Sequence, residues 1–392
     1  MSAKPKDSDQ SKKFPKEIYI SEEEKKPEKK ITPLDIDQRK KKRRRLLIVL
    51  GILAFISGLA FLYFWSKYHL PFKKSEESAS SKKIKISQEK PLFPSLLTGE
   101  LKEKDKTNLR PFAVVVENHP DARPQSGLSK AGLVFEAIAE GGITRFLAFF
   151  DELPEEVGPV RSARTYTVDW AKEMPAFYVH CGGSEDALKL INTLGNFFDI
   201  NQFAFGSYFW RDLSRYAPHN LYTSGKLLEK WVADEGWERR LDYSSWPFKD
   251  EATLEKRENF DKATINFSNY NFLVSYIYDR ESNLYKRYLA GYPHKDKDGT
   301  EIKVKNVVLA HYSGYQFASA GHTIWHLNTD KGGQATILQD GRIITGKWLI
   351  SDSRTRFFDL TGKEIQFNRG NTWIEVLVPG VSVQIDDLEE NL

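Results

Sequence analysis

Two arginines stand in the run Gly158-Pro159-Val160-Arg161-Ser162-Ala163-Arg164, where a loop passes into a helical pattern. Ser162 reads as an N-cap, which predicts a helix over 162–173 with Arg161 and Arg164 at its start. Such a position offers free backbone N–H groups and the positive end of a helix dipole, a setting that favours anions. Arginine is costly there unless an anion is present. That anion is either a ligand phosphate or carboxylate, or an internal partner such as Glu136, Glu140 or Asp151, and the residues leave both open. Arg145, Arg123 and Arg211 are further candidates for the same ligand-binding cluster. Acid–base work beside these cations would fall to Glu140, Asp169 or His219, the last in the polar loop Ala217-Pro218-His219-Asn220.

Other constellations offer less. His180-Cys181-Gly182-Gly183-Ser184 has the form of a strand, a glycine turn and a helix start. However, Glu185 and Asp186 already answer the helix dipole, and consecutive strand residues face opposite ways, so His180 and Cys181 do not form a dyad. Cys181 is the single cysteine, which excludes an intramolecular disulfide and a cysteine-based zinc site. His322 and His326 would suit zinc on a helix; on a strand they are about 13 Å apart, too far to share an ion. No HExxH, P-loop or GxGxxG occurs, so neither a metal nor a cofactor is expected.

The elements that position these residues follow from pattern. Pro111–Asn118 is an apolar strand-type run, followed by the turn-rich NHPDARPQSG. GLVFEAIAEG and TRFLAFFDE read as two strands joined at Gly141 and Gly142, and Ala176–His180 as another, with a helix from Ser184. Alternating strands and helices predict an α/β domain with a mixed sheet over 93–255. From about Thr264 the pattern is all strand, with hairpin signals at Asp340-Gly341 and Thr361-Gly362. It predicts an antiparallel β domain over 262–385.

Leu46–Trp65 is 20 residues without a charge, about 30 Å as a helix, the thickness of a bilayer core. Seven basic residues, Arg39–Arg45, precede it, which predicts a single membrane span with the N-terminus in the cytoplasm. A cleaved signal would have a shorter apolar run and small residues at its end, not Tyr-Phe-Trp. Residues 1–45 read as a disordered basic tail and 66–92 as a polar stalk. Residues 1–65 hold 16 Lys/Arg against nine Asp/Glu, leaving 42 against 45 beyond them. The extracytoplasmic bulk is therefore not a nucleic-acid binder by charge. Large folded domains outside the cell without disulfides suit a bacterial envelope.

RPFAVVVENHPDARPQSGLSKAG, EGGITRFLAFF, GPVRSAR, YVHCGGS, APHNLYTS and TRFFDLTGKEIQFNRGNTWIEVLVP closely resemble the YerB-like proteins of bacterial envelopes, in order, over roughly 95–380. The resemblance implies an envelope protein of unassigned biochemistry, here with a transmembrane helix where the family uses a lipidated cysteine. The overall order of tail, single span and α/β domain is also similar to the LytR-CpsA-Psr wall-polymer ligases, without their Pro-Arg-Asp signature. Two readings follow. The protein binds an anionic wall polymer, a lipid-linked phosphate or an envelope protein partner, or it is a phosphotransfer ligase or hydrolase acting on wall polymer.

Overall fold

The computed structural model describes residues 56–61, 63, 91–319 and 322–387. The chain divides into two units, Met1–Ile86 and Ser87–Leu392. In the first, residues 56–61 and 63 are helical and exposed. No helix among the described residues is long and apolar enough to cross a membrane. The basic tail, most of the expected span at 46–65 and nearly all of the stalk lie outside the described residues.

In the second unit, the run Phe112–Glu117 (β1) is buried along its whole length. Its valines fit a strand covered on both faces. Leu133–Glu140 (β2) and Ile143–Phe150 (β3) pair antiparallel. Gly141 and Gly142 join them, both at positive φ (58° and 78°), as a two-residue hairpin turn demands. Phe177–His180 (β4) and Phe198–Asn201 (β5) extend the sheet by parallel pairing beside β1.

The later segment supplies Phe260–Asn266 (β6), Leu273–Asp279 (β7), Leu284–Leu289 (β8), Asn306–His311 (β9), Gly314–Ser319 (β10) and His322–Leu327 (β11). It continues with Gly333–Gln339 (β12), Arg342–Ser351 (β13), Arg354–Asp359 (β14), Thr372–Leu377 (β15) and Ser382–Asp387 (β16). Strands β8, β7, β6 and β16 form an antiparallel sheet with two short strands on β8. Asp340 and Gly341, both at positive φ, make the expected turn between β12 and β13.

The mixed sheet runs β14-β13-β12-β9-β15-β2-β3-β1-β4-β5 among the described residues, with the β10–β11 hairpin touching the end of β2. Strands of the two sequence segments thus share one sheet. The later segment is not purely antiparallel, because β15 lies parallel to both β9 and β2. The reason is burial: β15 (TWIEVL) is covered along its length, and its unpaired backbone groups are satisfied only between two other strands.

Among the described residues of the second unit the α-helices are Thr165–Glu173 (α1), Glu185–Thr193 (α2) and Gly225–Asp234 (α3). Trp170 of α1 stacks on Phe135 of β2 at 4.5 Å, so α1 covers one face of the mixed sheet. The next residue on β2, Glu136, points the other way and meets Arg287 of β8, so the antiparallel sheet covers the opposite face.

Candidate functional site

Strands β1, β2, β4 and β5 run in the same direction and end in Glu117, Glu140, His180 and Asn201. Their carboxyl ends share one edge, the place where open sheets with parallel strands gather binding groups. Strand β3 runs the other way and starts at this edge, which brings Arg145 opposite Glu117.

The segment carrying Arg161 and Arg164 enters this edge extended, not helical. Arg161 N–H donates to Val115 O, Cys181 N–H to Arg161 O, and Ala163 N–H to Gly182 O. These bonds hold the backbone against β1 and the glycine turn, so the helix starts later than the Ser162 expectation. Arg164 is its N-cap, its N–H donating to Thr167 Oγ1 at 3.0 Å.

Glu140 takes one arginine on each oxygen, Arg145 on Oε1 and Arg164 on Oε2. Arg145 also donates to Ser162 O at 2.9 Å and Arg164 to Ala163 O at 2.7 Å. Burial raises the Glu140 carboxyl, but Arg145 and Arg164 outweigh it and hold the group below its ordinary range. Burial, with Arg164 beside it, pushes Arg145 down to about 10 against the pull of Glu140. Arg145 and Arg164 are thus internally paired. Glu136 and Asp151 serve elsewhere: Glu136 binds Arg287, Asn118 and Thr144, and Asp151 binds Ser95 and Lys102.

Arg161 is placed differently. Its Nε lies 3.0 Å from Glu117 Oε1, out of line for a hydrogen bond, and its side chain is 21% exposed. Its Nη atoms make no hydrogen bond among the described residues. His219 Nδ1 lies 3.0 Å from the same Glu117 oxygen, while Glu117 Oε2 is buried without a hydrogen-bond partner. Arg211 is exposed and gives one Nη to Asn220 Oδ1 at 2.8 Å. Burial raises the Cys181 thiol, and Arg211 and Arg161 both pull it back, so the two guanidiniums act on one point of the edge.

The remaining candidates separate from this cluster. Arg123 is spent on Asn118 Oδ1, Asn118 O and Asn271 O, strapping the β1 loop to the antiparallel sheet. Asp169 lies on α1, bound to Lys172 at 2.9 Å and Thr329 at 3.0 Å. His180 is buried with partners on both ring nitrogens, Gly182 O and Asp199 Oδ1. Cys181 faces Gln202 and is half-buried. His322 and His326 lie on one strand, as the pattern indicated.

Sequence reasoning passed over His119, whose ring stacks on His219 with centroids 4.5 Å apart. It also passed over Arg287, fully buried between Glu136 and Glu375. Alternation carried a signal for Arg287: in Leu284–Leu289 it shares a face with Tyr285 and Leu289, an arginine at an inward position.

Residues 97–238 match the family described as protein of unknown function (DUF3048), N-terminal domain, and residues 263–374 match its C-terminal domain. A Bacillus subtilis (strain 168) protein named "Putative lipoprotein YerB" is 37% identical over 289 residues, covering 72% of this chain and 85% of that protein. A crystal structure of YerB protein from Bacillus subtilis superimposes with a TM-score of 0.68 at 34% identity, covering 74% of this chain and 99% of the other. With both halves of the fold matched in order, this chain belongs to the DUF3048 family and is a homologue of YerB.

Proposed function

We propose that the protein is anchored in the cell membrane by residues 46–65, with its basic tail inside. Residues 66–92 then form a stalk that carries the folded segments 93–255 and 262–385 in the cell envelope. The basic run Arg39–Arg45 before the apolar stretch supports that orientation. The name of the Bacillus homologue, a lipoprotein, supports the same side of the membrane. There the strand-end edge binds an anionic ligand, a wall polymer or a lipid-linked phosphate, through Arg161 and Arg211.

The observation that carries this reading is the guanidinium of Arg161. It sits at the carboxyl ends of parallel strands, part-exposed, with both Nη groups free of protein partners among the described residues. Its neighbours leave an excess of positive charge, since Arg145 and Arg164 share the single carboxylate of Glu140. Arginine presents a planar fork that suits phosphate oxygens.

Titration of the full-length chain in nanodiscs with inorganic pyrophosphate tests it. A charge-assisted contact worth about 1.5–3 kcal/mol makes the Arg161→Ala variant roughly 10- to 150-fold weaker. No saturable binding, or binding by the Arg161→Ala and Arg211→Ala variants as tight as that of the wild-type chain, overturns the proposal.

A further inference from the structure

Beside the cationic edge the fold gathers side chains that the ion pairs above do not consume. His119, Asp121 and His219 each offer one ligand atom, and those atoms lie within 4.8 Å of one another. His119 directly precedes the turn Pro120–Ala122 that carries Asp121, so one tight turn holds two of the three. His119 Nδ1 is 3.6 Å from Asp121 Oδ2 and accepts the Asp121 N–H at 3.2 Å, a long bond that is readily exchanged. His219 arrives from the loop after Arg211 and stacks its ring on His119.

Glu117 supplies an independent observation. It accepts from His219 Nδ1 at 3.0 Å, so Nδ1 carries the proton and Nε2 presents its lone pair outward. A carboxylate behind an imidazole is how proteins orient a metal-bound histidine and raise its basicity. Glu117 is only 3% exposed, yet its Oε2 has no hydrogen-bond partner among the described residues. Arg161 Nε, 3.0 Å from Oε1, answers part of that buried charge, and a cation on the far nitrogen of His219 answers more of it through the imidazole.

We propose that His119, Asp121 and His219 bind one divalent first-row transition cation of the zinc type, with Glu117 orienting His219 from behind. Two imidazoles and one carboxylate suit such ions, and three protein ligands leave a further position open to water or an anion. Donor atoms around tetrahedral zinc stand about 3.3 Å apart. With all three donor atoms within 4.8 Å of one another, no pair need close by more than about 1.5 Å on that geometry. Asp121, with a side chain 72% exposed, is free to swing toward the two histidines, while His119, 31% exposed and stacked on His219, turns once its bond from the Asp121 N–H is exchanged. The cation lies one carboxylate from Arg161, because Arg161 Nε is 3.0 Å from the same Glu117 oxygen. The site stands whether or not Arg161 holds an anion.

The experiment uses the tag-free full-length chain in detergent, stripped with EDTA and titrated with zinc chloride against a chromophoric chelator. Thermal unfolding is followed with and without zinc. The expected result is one tight equivalent and a zinc-dependent rise in the unfolding midpoint. Asp121→Asn and His219→Ala abolish both, while Glu117→Gln weakens binding about 10- to 100-fold without abolishing it. Because Asp121 is exposed, its variant keeps the metal-free midpoint and serves as the folding control. The absence of tight zinc uptake overturns the proposal, as does uptake that persists in both the Asp121→Asn and His219→Ala variants.

Discussion

Replacing Arg287 by Met tests the contact on which the two sheets depend. The guanidinium has no exposed surface and pairs with Glu136 of β2 through Nη2. Its Nε donates to Tyr276 Oη at 3.1 Å and lies 3.7 Å from Glu375 Oε1 on β15, and Nη1 meets His294 Nδ1. The rings of Trp373 and Phe146 lie 4.7 and 5.5 Å from its charge centre. Methionine fills much of the volume but leaves two buried carboxyls facing each other. Breaking a buried pair from one side costs about 3–5 kcal/mol, a large share of the roughly 5–15 kcal/mol that holds a folded domain. The loss has a pH signature. Burial, and Glu136 beside it, already hold the Glu375 carboxyl well above its ordinary range. Without Arg287 no cation offsets the two buried carboxyls, and the contribution of a raised acid such as Glu375 is complete below its unfolded pKa and is lost as pH rises through the folded one. The penalty of Arg287→Met therefore grows from pH 4 to pH 8. Urea denaturation of the purified chain at both pH values measures it, and adding Glu136→Gln should return part of the loss. A variant within about 1 kcal/mol of wild type at pH 8, or a double variant no better than the single, refutes the account.

Two further outcomes follow from the same reasoning. Arg164→Ala removes one of the two partners of Glu140, and urea denaturation should show a loss of about 1.5–3 kcal/mol; unchanged stability would mean that Arg164 is free for a ligand. Burial raises Glu173 to about 7 despite hydrogen bonds from Thr355 and the nearby Arg354. Its folded pKa lies above the unfolded one, so its contribution is complete below about pH 4.5 and is lost as pH rises through about 7. Relative to wild type, Glu173→Gln should therefore gain up to about 3 kcal/mol between pH 4.5 and pH 8. A pH-independent difference would show that Glu173 titrates at its ordinary value.

Local signals were legible in the sequence because they act through the chain itself. Phe112–Glu117 is apolar enough to be a strand buried on both faces, and it is. Gly141-Gly142 and Asp340-Gly341 specify left-handed backbone at the hairpin turns, and both turns form with positive φ. The N-cap was misplaced by two residues, Ser162 for Arg164, for a nonlocal reason. Residues 161–163 find backbone partners on β1 and the 181–184 turn, which no propensity within the segment encodes. The same holds for β15. TWIEVL reads as a strand, but nothing in it says that it inserts parallel between β9 and β2.

The fates of the arginines show where sequence reasoning stops. Arg145, Arg161 and Arg164 sit within twenty positions of one another, and by residue type each is an equal candidate for an anion site. What separates them is which carboxylate the strand ends deliver. The β2–β3 hairpin returns Arg145 to the edge where β2 ends, and the extended approach to α1 brings Arg164 to the other oxygen of Glu140. Arg161 is held to β1 by its own backbone, so among the described residues its side chain reaches only Glu117, which His219 already shares. Two of the three guanidiniums thereby become struts, and the third keeps its Nη groups free of protein partners among the described residues. The distinction arises from strand order and not from composition, so only the folded arrangement could assign it.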